Sequence, residues 1–330
     1  MFNNDAWLTQ IKEDIIDPDR EIVDAHHHLW PQPGMNFELE NLLADTSSGH
    51  NIVQTVFVEC GAAYRVNDSE HLKCVGETEF VADRAAKSAT GPGSTIIAGI
   101  VAHADLMGEH LDEVLDAHKV AGNGLFKGIR HSGAHEPNPE ALSIRGPALP
   151  DLFAKDDFRQ GVARLGELGL SYDTWIFHHQ IPDFRDLAEA VPGTAMILDH
   201  FGTPLGVGQY AGKRDEIFEV WKEDIEVVAR CPNVFVKLGG MAMPDNGYGW
   251  ETRDKPPTSD EFVAMQERYY DHTIACLGPG RCIFESNFPV DRLSLSYRTL
   301  WNGFKKIAAK YTEEHQDLMF SGVARKVYRL

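Results

Sequence analysis

Ile22-Val23-Asp24-Ala25-His26-His27-His28-Leu29-Trp30 (IVDAHHHLW, residues 22–30) is the stretch on which the fold turns. A short apolar run passes without a break into three histidines. An open doubly wound sheet built to hold a dinucleotide would place a glycine-rich phosphate fingerprint after its first strand, and none stands here. Seven more short apolar runs follow, at 53–58, 95–101, 125–129, 171–177, 195–198, 234–237 and 282–284. Each is apolar nearly throughout, the pattern of a strand buried on both faces of a parallel sheet. Between them, 69–88, 109–121, 152–168, 213–230, 260–277 and 296–309 carry apolar residues at three- and four-residue spacing, as amphipathic helices do. Strands alternating with helices predict right-handed βαβ units, and eight of them in a chain of this length predict an α/β fold of the (β/α)8 TIM-barrel type. Residues 1–21 read as an N-terminal extension, 22–330 as a single barrel domain, and 313–328 as an additional closing helix.

Composition removes several functional classes. The chain has 330 residues, with 31 Lys and Arg against 50 Asp and Glu, a net charge of −19. Such a charge disfavours nucleic acid and anionic membranes, whose binding begins with cations neutralising phosphates. No run of 18 apolar residues occurs and the N-terminus is polar and acidic, so a soluble cytoplasmic protein is expected. Five cysteines without a CxxC pair argue against a disulfide framework and against a sulfur-ligated zinc site. The expected partner is a small-molecule substrate, with assembly into a homo-oligomer left open. Fifteen histidines exceed ordinary usage, and their placement is the stronger clue.

Polar, titratable residues stand where the strands end: Asp24 and His26–His28, Glu59, His103, Arg130 and His131, His178 and His179, Asp199 and His200, Lys237, then Glu285 to Asn287. In a barrel these ends converge on one mouth, where the strand-to-helix loops form the active site. His26 and His28 lie two apart on a strand and point the same way, with His27 on the other side. Such a pair can present two imidazole nitrogens to one ion, joined by His178 or His179 and by His200. Arg130 offers a planar fork for a substrate carboxylate, or else a structural pairing with Glu59 or Glu285. Asp24 and Asp199 could orient imidazoles, although alternation could equally aim Asp199 into the helix layer. Trp30, Tyr64, Tyr248 and Trp250 are candidate wall residues, and His50, His71, His103, His110, His118 and His315 read as structural or solvated. Two long polar loops, 131–150 and 239–258, are expected to cover the mouth.

The ordered motifs IVDAHHHLW, FKGIRH, ILDHFGTP, FVKLGG and FESNFPVD resemble the amidohydrolase-related barrel hydrolases, in the branch of the sugar-lactone hydrolases and the 2-pyrone-4,6-dicarboxylate lactonase. The resemblance runs from about Ile22 to the C-terminus. It implies His26 and His28 as the strand-one pair, His200 as the strand-six histidine and Arg130 as an anion-binding residue. It also implies one divalent ion, zinc first, held by His26, His28 and His178, with metal-free working equally known in the branch. The departure lies at strand eight, where the family's S-D-W-P is Ser286-Asn287-Phe288-Pro289 here. A carboxamide cannot accept a proton at neutral pH, so the general base moves to Glu285, His200 or Asp291.

The expectation is therefore a hydrolase of a small, anionic lactone. His26, His28, His200 and Asn287 are the catalytic candidates, and Arg130, Trp30, Glu59, His131, His179 and Lys237 the substrate-binding ones. Acidic residues are expected on the outer helices, with a mouth more positive than the protein as a whole. The alternatives are a metal-dependent nonoxidative decarboxylase of an aromatic or muconate-type acid, and a ligand-binding member that has lost turnover with the strand-eight Asp.

Overall fold

A computed structural model describes residues 2–330 except Pro92, Ser94, Ile144, Arg145 and Pro147. Eight strands, β1 (Glu21–His27), β2 (Asn51–Val58), β3 (Ile96–Ala102), β4 (Phe126–Arg130), β5 (Ser171–Thr174), β6 (Ala195–Leu198), β7 (Val234–Leu238) and β8 (Cys282–Phe284), pair in parallel in chain order. After a short N-terminal helix, α1 (Asp5–Leu8), one helix follows each strand. These are α2 (Leu39–Thr46), α3 (Val75–Thr90), α4 (Leu111–Gly122), α5 (Asp156–Glu167), α6 (Ile181–Ala190), α7 (Arg214–Val228), α8 (Ser259–Leu277) and α9 (Tyr297–Ala308). The expected (β/α)8 barrel is thus observed. Helices α2 and α6 lie outside the expected set. The first is only eight residues long, and the second carries Pro182, which reads as a breaker but sits in the first turn, where no N–H is required.

The barrel closes just beyond the last strand. Asn287 N donates to His26 O (3.0 Å) and His28 N to Phe288 O (2.8 Å). Asp24 staples this seam from outside: it accepts from Ser286 N (2.8 Å), Ser286 Oγ (2.6 Å) and Tyr297 OH (2.8 Å). Burial pushes the Asp24 carboxyl up to about 6. Asp24 therefore holds β1 to β8 and α9, and no imidazole depends on it.

Register within β1 decides which residues face inward. Val23 and Ala25 join the barrel's inner cluster with Val56, Val58, Val101, Ile197 and Ile283. An irregularity between Asp24 and His27 then shifts the inward set to His26 and His28. His27 faces the helix layer, bonded to Thr55 Oγ1 (3.0 Å) and packed on Phe57.

The C-terminus plugs the far end of the barrel. After α10 (Glu313–Asp317), α11 (Val323–Tyr328) inserts Val323, Ala324, Val327 and Tyr328 into the inner cluster. Tyr328 OH donates to Asp173 Oδ2 at 2.5 Å inside the barrel. Residues 2–20 run over α9 and its flanks, pinned by Ile16 N to Asn302 Oδ1 (3.0 Å) and Arg292 Nη1 to Phe2 O (2.6 Å). Among the described residues, no helix is long and apolar enough to cross a membrane.

Replacing Tyr328 with Phe removes one donor from a fully buried carboxylate. The expected loss is about 1–3 kcal/mol, read as a lower urea midpoint at unchanged m-value. A midpoint equal to wild type would show that Asp173 does not need this bond.

Candidate active site

A pocket of about 330 Å³ opens at the C-terminal ends of the strands, lined by His28, Trp30, Glu59, Cys60, Gly61, Arg130, Ser132, Trp175, His200, Met243, Asn287 and Val290. The two long loops contribute as expected through Ser132 and Met243, although Ile144, Arg145 and Pro147 of the first lie outside the described residues. The pocket floor is a layer of buried charge. Lys237 Nζ lies 2.8 Å from Asp173 Oδ2 and 3.0 Å from Asp199 Oδ1, with all three side chains fully buried. Burial alone would lower the ammonium's pKa, but the two carboxylates outweigh it and hold Lys237 above its ordinary value. Asp199 also reaches Arg130 Nη1 (3.5 Å). Arg130 in turn gives Nε to Glu59 Oε1 (2.8 Å) and Nη2 to the Glu59 carbonyl.

Upon this floor sits the strand-one pair. Lys237 Nζ is 3.2 Å from His26 Nδ1, and an ammonium can only donate. His26 Nε2 faces His28 Nε2 at 3.2 Å, while His28 Nδ1 donates to Val58 O (2.8 Å). Burial, reinforced by nearby Lys237 and Arg130, drives both imidazoles well below the usual histidine range, so both are neutral. Arg130 Nη1 lies 3.3 Å from His26 Nε2.

His200 stands beside His26, ring centroids 4.6 Å apart, and its Nδ1 lies 2.8 Å from Glu285 Oε1. His200 and Phe201 both have positive φ (53° and 58°), a conformation that costs free energy for non-glycine residues and clusters at functional positions. Beneath this pair runs Gly239-Gly240. A Cβ on Gly240, whose φ is +71°, would lie 2.2 Å from His200 Nδ1, and one on Gly239 would lie 2.4 Å from Glu285 Oε1. Only glycines leave room for these two side chains.

The structure redistributes several expected roles. Glu285 and Asn287, two apart, share one side by alternation: Asn287, at φ +54°, lines the pocket, and Glu285 stands behind His200. Asn287 Nδ2 donates to Asp291 Oδ1 (2.9 Å), and Asp291 also accepts from Ala242 N (3.1 Å). Lys237 does not meet the pocket, being sealed in its ion pairs. His131 turns to the helix layer, where it accepts from Leu106 N (3.3 Å) and packs on Phe158. Strand five ends at Thr174 and not at 177, so His178 and His179 lie in a 3-10 turn, packed against Tyr210 (ring centroids 5.0 and 6.1 Å). Neither lines the pocket, and His178 is not grouped with His26 and His28 as a ligand set. Asp173 is the residue that strand five sends inward. Tyr248 and Trp250 stack on each other (4.7 Å) outside the pocket lining, and Tyr64 is absent from it too. Nor is the mouth positive: Arg130 and Lys237 are matched by Glu59, Asp173, Asp199 and Glu285.

His26, His200 and Glu285 each bring a ligand atom within 4.8 Å of the others, a set consistent with a divalent metal. Glu285 Oε2 is buried and has no hydrogen-bond partner, so an acceptor stands ready in that set. An ion there would have Lys237 and Arg130 as close neighbours.

Replacing Gly240 with Ala should force His200 off Glu285 and cost about 1–3 kcal/mol by overpacking. Gly193→Ala, at a position with open space around the added carbon, should stay within about 0.5 kcal/mol of wild type. Equal thermal midpoints for the two variants would contradict the platform role of Gly240.

Comparison with known proteins agrees with this architecture. An L-fucono-1,5-lactonase from Burkholderia multivorans is 24% identical over 93% of this chain and 96% of its own length. A solved amidohydrolase with bound zinc, also from Burkholderia multivorans, superposes with a TM-score of 0.73 at 22% identity, covering 94% of this chain and 99% of that one. A protein from Pseudomonas putida described as a 2-pyrone-4,6-dicarboxylic acid hydrolase gives a TM-score of 0.60 at 17% identity, covering 93% and 97%. The amidohydrolase family model matches residues 23–330, and the chain belongs to that enzyme family.

Proposed function

We propose that this protein hydrolyses a small cyclic ester, with His200 as general base and Glu285 as its partner. The observation that carries this reading is the 2.8 Å contact between His200 Nδ1 and Glu285 Oε1 at the pocket wall. A carboxylate on Nδ1 fixes the proton there and leaves Nε2 free to take a proton from water. The similarity to the lactonase supports the ester over other acyl substrates.

The water attacks the ring carbonyl as His200 receives its proton. Arg130 and Asn287 line the same pocket and carry N–H groups suited to the developing oxyanion. When the ring opens, the imidazolium returns its proton to the leaving alkoxide, so acid and base are one residue. Trp30 and Trp175 furnish flat apolar surfaces for the ring. A zinc ion held by His26, His200 and Glu285 would supply Lewis acidity to the ester carbonyl in place of this base pair, because His200 and Glu285 cannot fill both roles at once.

The charge balance bears on the substrate. An anionic lactone needs a free cation, but Lys237 is sealed away and Arg130 gives Nε and Nη2 to Glu59. Two cations against four carboxylates favour an uncharged, hydroxylated lactone over a dicarboxylate.

His200→Ala and Glu285→Gln should each lower kcat, by about 10²–10⁴ for the base itself. Neutral aldonolactones should exceed a pyrone dicarboxylate in kcat/KM. A wild-type protein inert toward a broad lactone panel would overturn the reading.

Asn287→Asp separates this enzyme from a ligand-binding relative that has lost its base. The new carboxylate would face Asp291 across the 2.9 Å now bridged by an amide N–H, so activity should fall. A gain of hydrolysis from an inert wild type would mark the natural chain as a binder.

A further inference from the structure

A second group of donors lies outside the pocket. His71 belongs to a short 3-10 turn (Glu70–Leu72) in the loop after β2, and His110 and Glu113 flank the first turn of α4, after β3. Both loops lie on the face where the pocket opens. His71 Nε2 is 3.2 Å and His110 Nδ1 3.4 Å from the same Glu113 oxygen, Oε2. All three ligand atoms lie within 4.8 Å of one another. Ligands bonded at about 2.0–2.1 Å around a tetrahedral ion stand about 3.3 Å apart, so the two imidazole-to-carboxylate distances match two edges of such a site.

Charged neighbours that could compete are already paired: Lys73 with Glu70, Arg65 with Asp68 and Glu79, and Arg164 with Asp112 and Glu167. The two imidazoles stack with centroids 4.1 Å apart and planes 19° apart, so their nitrogens start side by side. Their side chains are 29% and 56% exposed, which leaves the rings free to turn toward a common ion.

We propose that His71, His110 and Glu113 form a divalent transition-metal site on the rim of the barrel, independent of the pocket and of the reaction there. Two imidazoles with one carboxylate select zinc, nickel, cobalt or copper over magnesium and calcium, which prefer all-oxygen shells. The bound ion would tie the loop that carries Glu59, Cys60 and Gly61 of the pocket wall to the first turn of α4.

Isothermal titration of the full-length, chelator-dialysed protein with zinc chloride tests this directly. Wild type should show a binding event that persists in His26→Ala, which disables the mouth set. The event should vanish in His71→Ala/His110→Ala, and Glu113→Gln should weaken it by about tenfold or more. Titration of the double variant that matches wild type in stoichiometry and affinity would overturn the site. So would loss of the event in His26→Ala alone, since the zinc would then belong to the mouth. The exposed substitutions are expected to leave the metal-free thermal midpoint unchanged. If the double variant fails to fold, Glu113→Gln takes its place, and an unchanged zinc affinity in that variant would overturn the site.

Discussion

The constraint on which this molecule depends is a lysine ammonium inside the barrel. Lys237 is fully buried, and an isolated charge there would be prohibitive without partners of opposite sign. Asp173 and Asp199 supply them, and each is held in turn. Asp173 accepts from Ser171 Oγ (2.9 Å) and from Tyr328 OH, and Asp199 reaches Arg130. A continuous set of polar contacts therefore runs from the last helix of the chain, through the barrel axis, to the pocket. Buried ion pairs seldom add much net stability, because desolvation offsets the attraction, but breaking one is costly. What the arrangement supplies is registration: strands five, six and seven and the C-terminal plug meet in one way only.

The same ammonium imposes polarity on the site. It lies 3.2 Å from His26 Nδ1, and His26 in turn meets His28, which donates to the Val58 carbonyl. His200 has no cation on its Nδ1; it has Glu285. Two imidazoles 4.6 Å apart thus differ in their partners, His26 set among Lys237, Arg130 and His28 and His200 set against a carboxylate. The difference arises from what lies behind each ring and not from the rings themselves, which is how one residue type fills two roles.

This division also marks what the sequence can disclose. The eight strands, their order, the inward pair His26 and His28, and the polar ends are legible because periodicity is local. Partners across the barrel are not. Lys237 reads as a candidate anion binder until Asp173 and Asp199 are seen against it. Asp173 hides inside an apolar run that outlasts its strand by three residues, and the same overrun gives His178 and His179 a place at the mouth that they do not hold. His131 follows Arg130 directly, so alternation alone sends it outward. Glu285 and Asn287 share a side by alternation, but the positive φ at Asn287 is hidden, since a sequence shows a tendency to αL in asparagine and not its use. Gly239-Gly240 closes the FVKLGG motif, yet its purpose appears only once the His200 ring lies over it.

Asn287 can then be placed. Position 287 is crowded with acid: Asp291 is in contact and Glu285 is two residues back, each fully buried, and burial with Glu285 nearby drives the Asp291 carboxyl well above the usual range. A third carboxylate would have to be ionised among these to serve as a base. An amide instead donates to Asp291 and adds no charge. With His200 as the proposed proton acceptor, the barrel keeps one carboxylate, Glu285, behind that base and adds none at position 287. The exchange of Asp for Asn at strand eight and the pairing of His200 with Glu285 are, on this view, two halves of one electrostatic arrangement.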